Sequence, residues 1–280
     1  MTPKFLSDAP WRLWAAQIPA ILRIELKKTL LKKRNIWIYI LALAPAVVIG
    51  LHGLIDTVES GSMVEDTNVL AGIFQFLYLR ALIFFGCMIL FTWLYRGEIV
   101  EKSLHYYFLT PLRREVLIVG KFLSGVITTS FIFGLSVLLS FALTYARFGK
   151  AGSAFVFAGP GLGHLAAYLG VTALACLGYG SVFLAFSLMI KNPIIPGAAV
   201  LIWETFHPVL PSFLQRFSVM FYLKQLCPVS VPPDTLALFT VIAEPVAPWV
   251  AVLGLLCLCA GILVFACFRI RRAEISYLAD

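Results

Sequence analysis

Solid runs of apolar residues, separated by short polar or basic stretches, set the rhythm of this chain. Residues 122–146 and 165–190 contain no Asp, Glu, Lys, Arg or His, and each run exceeds the roughly 20 residues a helix needs to cross a bilayer. Four more runs complete the pattern: 35–54, with Pro45 as an expected kink, 69–95, 194–210, and 246–268. The 194–210 run is short and is bracketed by Pro193, Pro196, Pro208 and Pro211. A transmembrane barrel requires alternation at period two, which these runs lack, so they predict helices. The expected fold is all-α: a polytopic membrane protein with six transmembrane helices.

Two flanking segments modify that plan. Residues 1–34 form an N-terminal unit, in which 8–34 predicts a helix lying in the headgroup plane. Ser7 or Asp8 can cap it, Pro10 suits its first turn, and Trp11, Trp14, Ile18 and Ile21 recur at helical spacing. The second unit, 35–280, is the six-span domain. Within it, 211–245 is too apolar for a plain loop and predicts short re-entrant helices in the last external loop, at 213–226 and 236–243.

Composition agrees with the pattern, at 61% hydrophobic, 13% charged and a mean hydropathy of +0.93. Such a chain cannot cover its core with polar surface and is not a soluble enzyme. The net charge of +8 would suit nucleic acid, but the cations flank the apolar runs, where they act as topology signals and lipid contacts. With both termini inside, seventeen of the 22 Lys and Arg fall on the cytoplasmic side. The first external loop carries Asp56, Glu59, Glu65 and Asp66 and no cation. The expected location is therefore the plasma (inner) membrane, multi-pass, with both termini cytoplasmic. No cleavable signal peptide is expected, since a long basic segment precedes the first apolar run.

Five of the six cysteines lie inside apolar runs and read as small hydrophobes; Cys227 falls in the external stretch. His52, His105, His164 and His207 are scattered, and no metal constellation is expected.

The connection between the second and third spans, region 98–116, is the most informative stretch. Glu101, Ser103, Leu104 and Tyr107 to Leu109 suit a short amphipathic helix. Thr110 and Pro111 break it, because proline lacks a donor and pushes its predecessor out of helical geometry. Arg113 and Arg114 then open the third span. This stretch resembles the permease subunits of type 2 ABC exporters, which carry a Glu, a Leu, a Leu-x-Thr-Pro-like turn, an Arg-x-x-Leu and a Gly-Lys between their second and third spans. Here those positions are Glu101, Leu104, Leu109, Thr110, Pro111, Arg114, Leu117, Gly120 and Lys121. The chain departs from the family at Lys102 and Ser103, where Gly-Thr is usual.

The resemblance implies that Glu101, Leu104, Leu109, Thr110, Pro111, Arg113 and Arg114 form a cytoplasmic coupling helix. That helix would dock on a separate ATP-binding-cassette ATPase subunit. A second permease copy, identical or similar, would complete the pathway. The chain has no Gly-x-x-x-x-Gly-Lys-Ser/Thr loop, so ATP and Mg are expected on the partner and no cofactor on this chain.

Arg80 and Glu204 fall inside the second and fifth spans, where an unpaired charge costs at least about 2.5 kcal/mol. With Phe76 and Phe84 they are candidates for the pathway, either paired or touching polar parts of cargo. The alternatives are that Arg80 snorkels outward, that Glu204 serves packing, and that the aromatic residues face lipid or pack. Two rival functions stay open. An ion-coupled carrier would show broken helices meeting at mid-membrane. A lipid-modifying membrane enzyme would need a catalytic cluster at the interface.

Overall fold

In hydrocarbon the backbone must bond within its own segment, and the apolar runs accordingly wind into helices. The computed structural model describes residues 11–31, 35–55, 62–100, 113–190, 192, 194–229 and 246–271, and none of these is in a strand. Helix α1 (Trp11–Leu31) is followed by α2 (Ile36–Ile55), which continues through Pro45. One long helix comes next, made of α3 (Met63–Gly72), a π-wound stretch (Ile73–Leu82) and α4 (Ile83–Val100). Its start is held by a capping box: Ser62 Oγ accepts from the Glu65 amide while the Glu65 carboxylate accepts from the Ser62 amide.

Beyond lie α5 (Arg114–Ala146), a short α6 (Gly149–Ala158) and α7 (Gly161–Ser187). Then come α8 (Ile194–Phe206), a 3-10 turn (His207–Val209), α9 (Ser212–Gln215), α10 (Val219–Gln225) and α11 (Pro248–Arg271). Five of these helices are long and apolar enough to cross a membrane: α2, the composite α3–α4 helix, α5, α7 and α11. The chain is a multi-pass helical membrane protein by this measure.

Two elements differ from the sequence reading. Helix α6 stands where no helix was expected and begins at Gly149, whose φ of 53° turns the chain behind α5. The expected fifth span, 194–210, stops as an α-helix after 13 residues. At 1.5 Å per residue that is about 20 Å, short of the roughly 30 Å hydrocarbon layer. Pro208 and Pro211 explain the stop, since each removes a donor and disfavours helical geometry in the residue before it.

Helix α7 is the centre of the bundle: 61% of its apolar stretch is buried, against 28% for α2 and 22% for α11. Gly180 makes that centre close-packed, because a Cβ there would meet the Phe91 ring at 2.5 Å. Ala166, Gly170 and Ala173 on the same helix face outward. Large apolar side chains cover the exterior, among them Trp37, Phe131, Leu135, Trp249 and Phe268, a surface suited to lipid rather than water.

Both terminal helices meet at one end of the bundle. There α1 lies along the start of α5, and Arg271, at the end of α11, pairs with Glu115 on the first turn of α5. At the opposite end Arg147 clamps Asp66 through two contacts, Nε–Oδ2 at 2.7 Å and Nη2–Oδ1 at 2.9 Å, with His52 3.9 Å from Asp66. Between the ends, a column of hydroxyls ties three helices together. The Tyr78 hydroxyl lies 2.6 Å from Ser136 Oγ and 2.9 Å from Ser140 Oγ, and Ser136 Oγ donates to the Ala42 carbonyl of α2.

Candidate functional site

Two regions carry the residues singled out by sequence. The first is the end where α1 docks. Glu101, Leu104, Leu109, Thr110 and Pro111 lie outside the described residues; Arg113 and Arg114 are described and open α5. The Arg113 guanidinium sits 4.4 Å from the centre of the Trp14 ring, a cation–π contact that ties the base of the connection to α1. Arg114 Nη1 reaches the Ile270 carbonyl at 3.5 Å. A groove of about 370 Å³ runs between these elements, with Trp14, Ile18 and Val119 on its apolar side and Arg113, Glu115 and Arg271 on its polar side.

Two further residues of the same motif hold α1 in place. Gly120 leaves room for Ile21, whose Cγ2 would stand only 2.8 Å from a Cβ at position 120. Lys121 is 0% exposed and bonds Glu25 Oε1 at 2.9 Å, Glu98 Oε1 at 2.7 Å and the Leu94 carbonyl at 3.2 Å. Lys28 meets the same Glu98 oxygen at 2.8 Å. Two cations thus balance two anions in a network joining α1, α4 and α5, as buried charge requires. Nothing in the sequence alone joins Glu25, Lys28 and Lys121 in such a network. The available signal was the Glu25/Lys28 spacing, which places both on one face of α1.

The second region lies within the apolar span. Glu204, 4% exposed near the end of α8, points its carboxylate at the start of α10. Oε2 accepts from Ser218 Oγ at 2.5 Å and from the Met220 amide at 3.2 Å, and Oε1 accepts from the Val219 amide at 3.0 Å. Ser218 Oγ in turn accepts from the Phe221 amide at 3.2 Å. A carboxylate and a serine together therefore satisfy the amides that a helix start leaves open.

This junction is deep. Val219 packs where Gly178 has no side chain, more than two turns from either end of α7; a Cβ there would meet Val219 Cγ1 at 2.7 Å. From that level α10 leads toward the Asp66 end: Tyr222 covers Gly254 in the first two turns of α11, and the Val229 carbonyl accepts from Gln75 Nε2 at 2.9 Å. Helix α8 enters from the other direction, starting just after α7 ends, with Met88 filling the space beside Gly197. The polar groups in the gap are bonded inside it. The Leu210 carbonyl accepts from Gln215 Nε2 at 2.8 Å, and His207 Nδ1 lies 2.7 Å from the Glu204 carbonyl.

Arg80 stands in the π-wound stretch, about midway along the chain between Asp66 and Glu98, and within electrostatic reach of Glu204, His207 and Tyr179. π-windings of this kind occur often at functional sites. The two intramembrane charges are thus neighbours without forming an ion pair, since the carboxylate is committed to α10. The two aromatic candidates separate. Phe84 is 1% exposed, edge-on to Phe85, Tyr179 and Phe183, and belongs to the core of this chain. Phe76 is 37% exposed on the outer surface of the π-wound stretch.

Comparison with known proteins adds no family: no family model matches this sequence, and no curated protein matches it.

Proposed function

We propose that this chain is the transmembrane permease subunit of an ATP-driven ABC exporter of type 2, working as a dimer with a separate ATP-hydrolysing subunit. The observation that carries this reading is the bracing of the motif-bearing connection. Gly120 and Lys121, at the end of the motif, seat α1, while Arg113 and Arg114 at its base contact Trp14 and the last turn of α11. A force applied to that connection would pass directly to the N-terminal helix, to α5 and to the C-terminal helix. Such a linkage suits a subunit driven from outside by another protein. In this reading the α1 end is cytoplasmic, in keeping with the concentration of Lys and Arg there.

Six crossings follow if α8 and α10 together make one interrupted passage, entering at the α1 end and leaving toward the Asp66 end. Both terminal helices then fall on the same side with an even number of crossings. Non-helical backbone at that depth is tolerated where protein buries it, and the Glu204–Ser218 cap, Gln215 and His207 supply that burial here.

The interrupted passage also favours a second reading, an ion-coupled carrier, since such carriers bind substrate at broken helices. Purification in mild detergent separates the two. The exporter reading expects a co-purifying subunit with a phosphate-binding loop, lost when Leu109 is changed to Asp while the chain stays folded. Transport by the chain alone in liposomes, driven by an ion gradient without nucleotide, would overturn it in favour of the carrier.

A further inference from the structure

Lys28 and Lys121 at one end of the bundle, and Arg147 at the other, each have an acidic partner. Arg80 does not. Its Nε is sealed from solvent and bonded to nothing, and among the described residues no hydrogen bond, ion pair or ring contact reaches the guanidinium. It remains half-buried rather than enclosed, so the rest of the group is accessible from outside the chain.

Among the described residues no carboxylate is left to pair with it. Glu204 is the neighbouring acid, and three donors on Ser218, Val219 and Met220 already occupy its two oxygens. The other described carboxylates, Glu25, Glu65, Asp66, Glu98 and Glu115, stand at the ends of the bundle. A second copy therefore brings no free carboxylate to this depth from its described residues. Phe76, exposed about one turn before Arg80, offers apolar surface on the same helix.

We infer that Arg80 is the headgroup anchor of a binding site for an amphipathic anion, a phosphate or carboxylate carried on an apolar body. The planar fork of the guanidinium bonds either group through two parallel contacts, and an apolar body lets the anion reach that depth at little desolvation cost. The inference deepens the permease reading by naming a substrate class, and rests on that reading for placing the site in the translocation pathway.

Binding is measured on the full chain in phosphatidylcholine nanodiscs without nucleotide or partner, so that failure here is separate from failure of ATPase coupling. The probe is dodecyl phosphate, with inorganic phosphate as the headgroup-only arm and dodecyl maltoside as the tail-only arm. Wild type is expected to bind dodecyl phosphate saturably, and Arg80→Gln at least about tenfold more weakly. Arg80→Lys, which keeps the charge but loses the fork, falls between them. With no partner among the described residues to lose, Arg80→Gln should unfold at a temperature no lower than wild type. Equal affinity in Arg80→Gln, a lowered unfolding temperature in that variant, or competition by either control arm as strong as that of dodecyl phosphate would each overturn the assignment.

Discussion

Lys121 and Glu25 meet at 2.9 Å with both side chains shut off from solvent, joining the N-terminal helix to the third long helix through a charge pair. Glu98 completes the arrangement 2.7 Å from the same ammonium. Breaking such a network by removing one member strands the others in low dielectric. Lys121→Ala is expected to destabilise the chain by about 3–5 kcal/mol and to expose α1 to protease before the rest of the bundle. Limited proteolysis with the fragments identified by mass checks this; an α1 that stays protected would assign its docking to apolar contact alone.

Gly120 gives a second, steric handle on the same joint. Gly120→Val drives a branched side chain into Ile21 and should cost about 1–3 kcal/mol, read as a lowered unfolding temperature in detergent. Adding Ile21→Ala should return most of the loss, because the two positions share one space. Failure of the second change to compensate would mean that α1 is displaced for another reason.

The Glu204 cap predicts a local effect. Glu204→Ala leaves the Val219 and Met220 amides and the Ser218 hydroxyl without acceptors, a loss of about 1–3 kcal/mol. Hydrogen exchange should accelerate at residues 219–221 first, while α7 keeps its protection. Glu204→Gln retains one acceptor oxygen and should show a smaller acceleration; uniform exchange across the bundle would argue against a local cap.

Tyr78 supports the junction of the π-wound stretch with α5. Tyr78→Phe removes a hydroxyl within bonding distance of Ser136 and Ser140 and should cost about 1 kcal/mol. The Ser136 contact with the Ala42 carbonyl survives in that variant. Thermal unfolding of Tyr78→Phe beside Ser140→Ala tests whether the losses overlap, as they should for groups sharing one bond.

The pattern of apolar runs alone settles the solvent, the helical class and the places where helices run long. Uninterrupted apolar stretches leave the backbone no partner but itself, so 122–146 and 165–190 were readable as helices without knowledge of any contact. Proline marked the weak fifth run for the same local reason, although only as a short span. Tertiary structure alone decided what the charged and small residues do, because those roles depend on neighbours distant in sequence. Glu204 caps a helix that starts fifteen residues later, Lys121 answers carboxylates on two other helices, and Gly180 accommodates Phe91 while Gly170 faces away. Arg80 was visible in the sequence as a charge in an apolar run. That no described residue answers it became visible only once the fold had brought Glu204 near and committed its carboxylate elsewhere, since pairing is a property of geometry and not of composition.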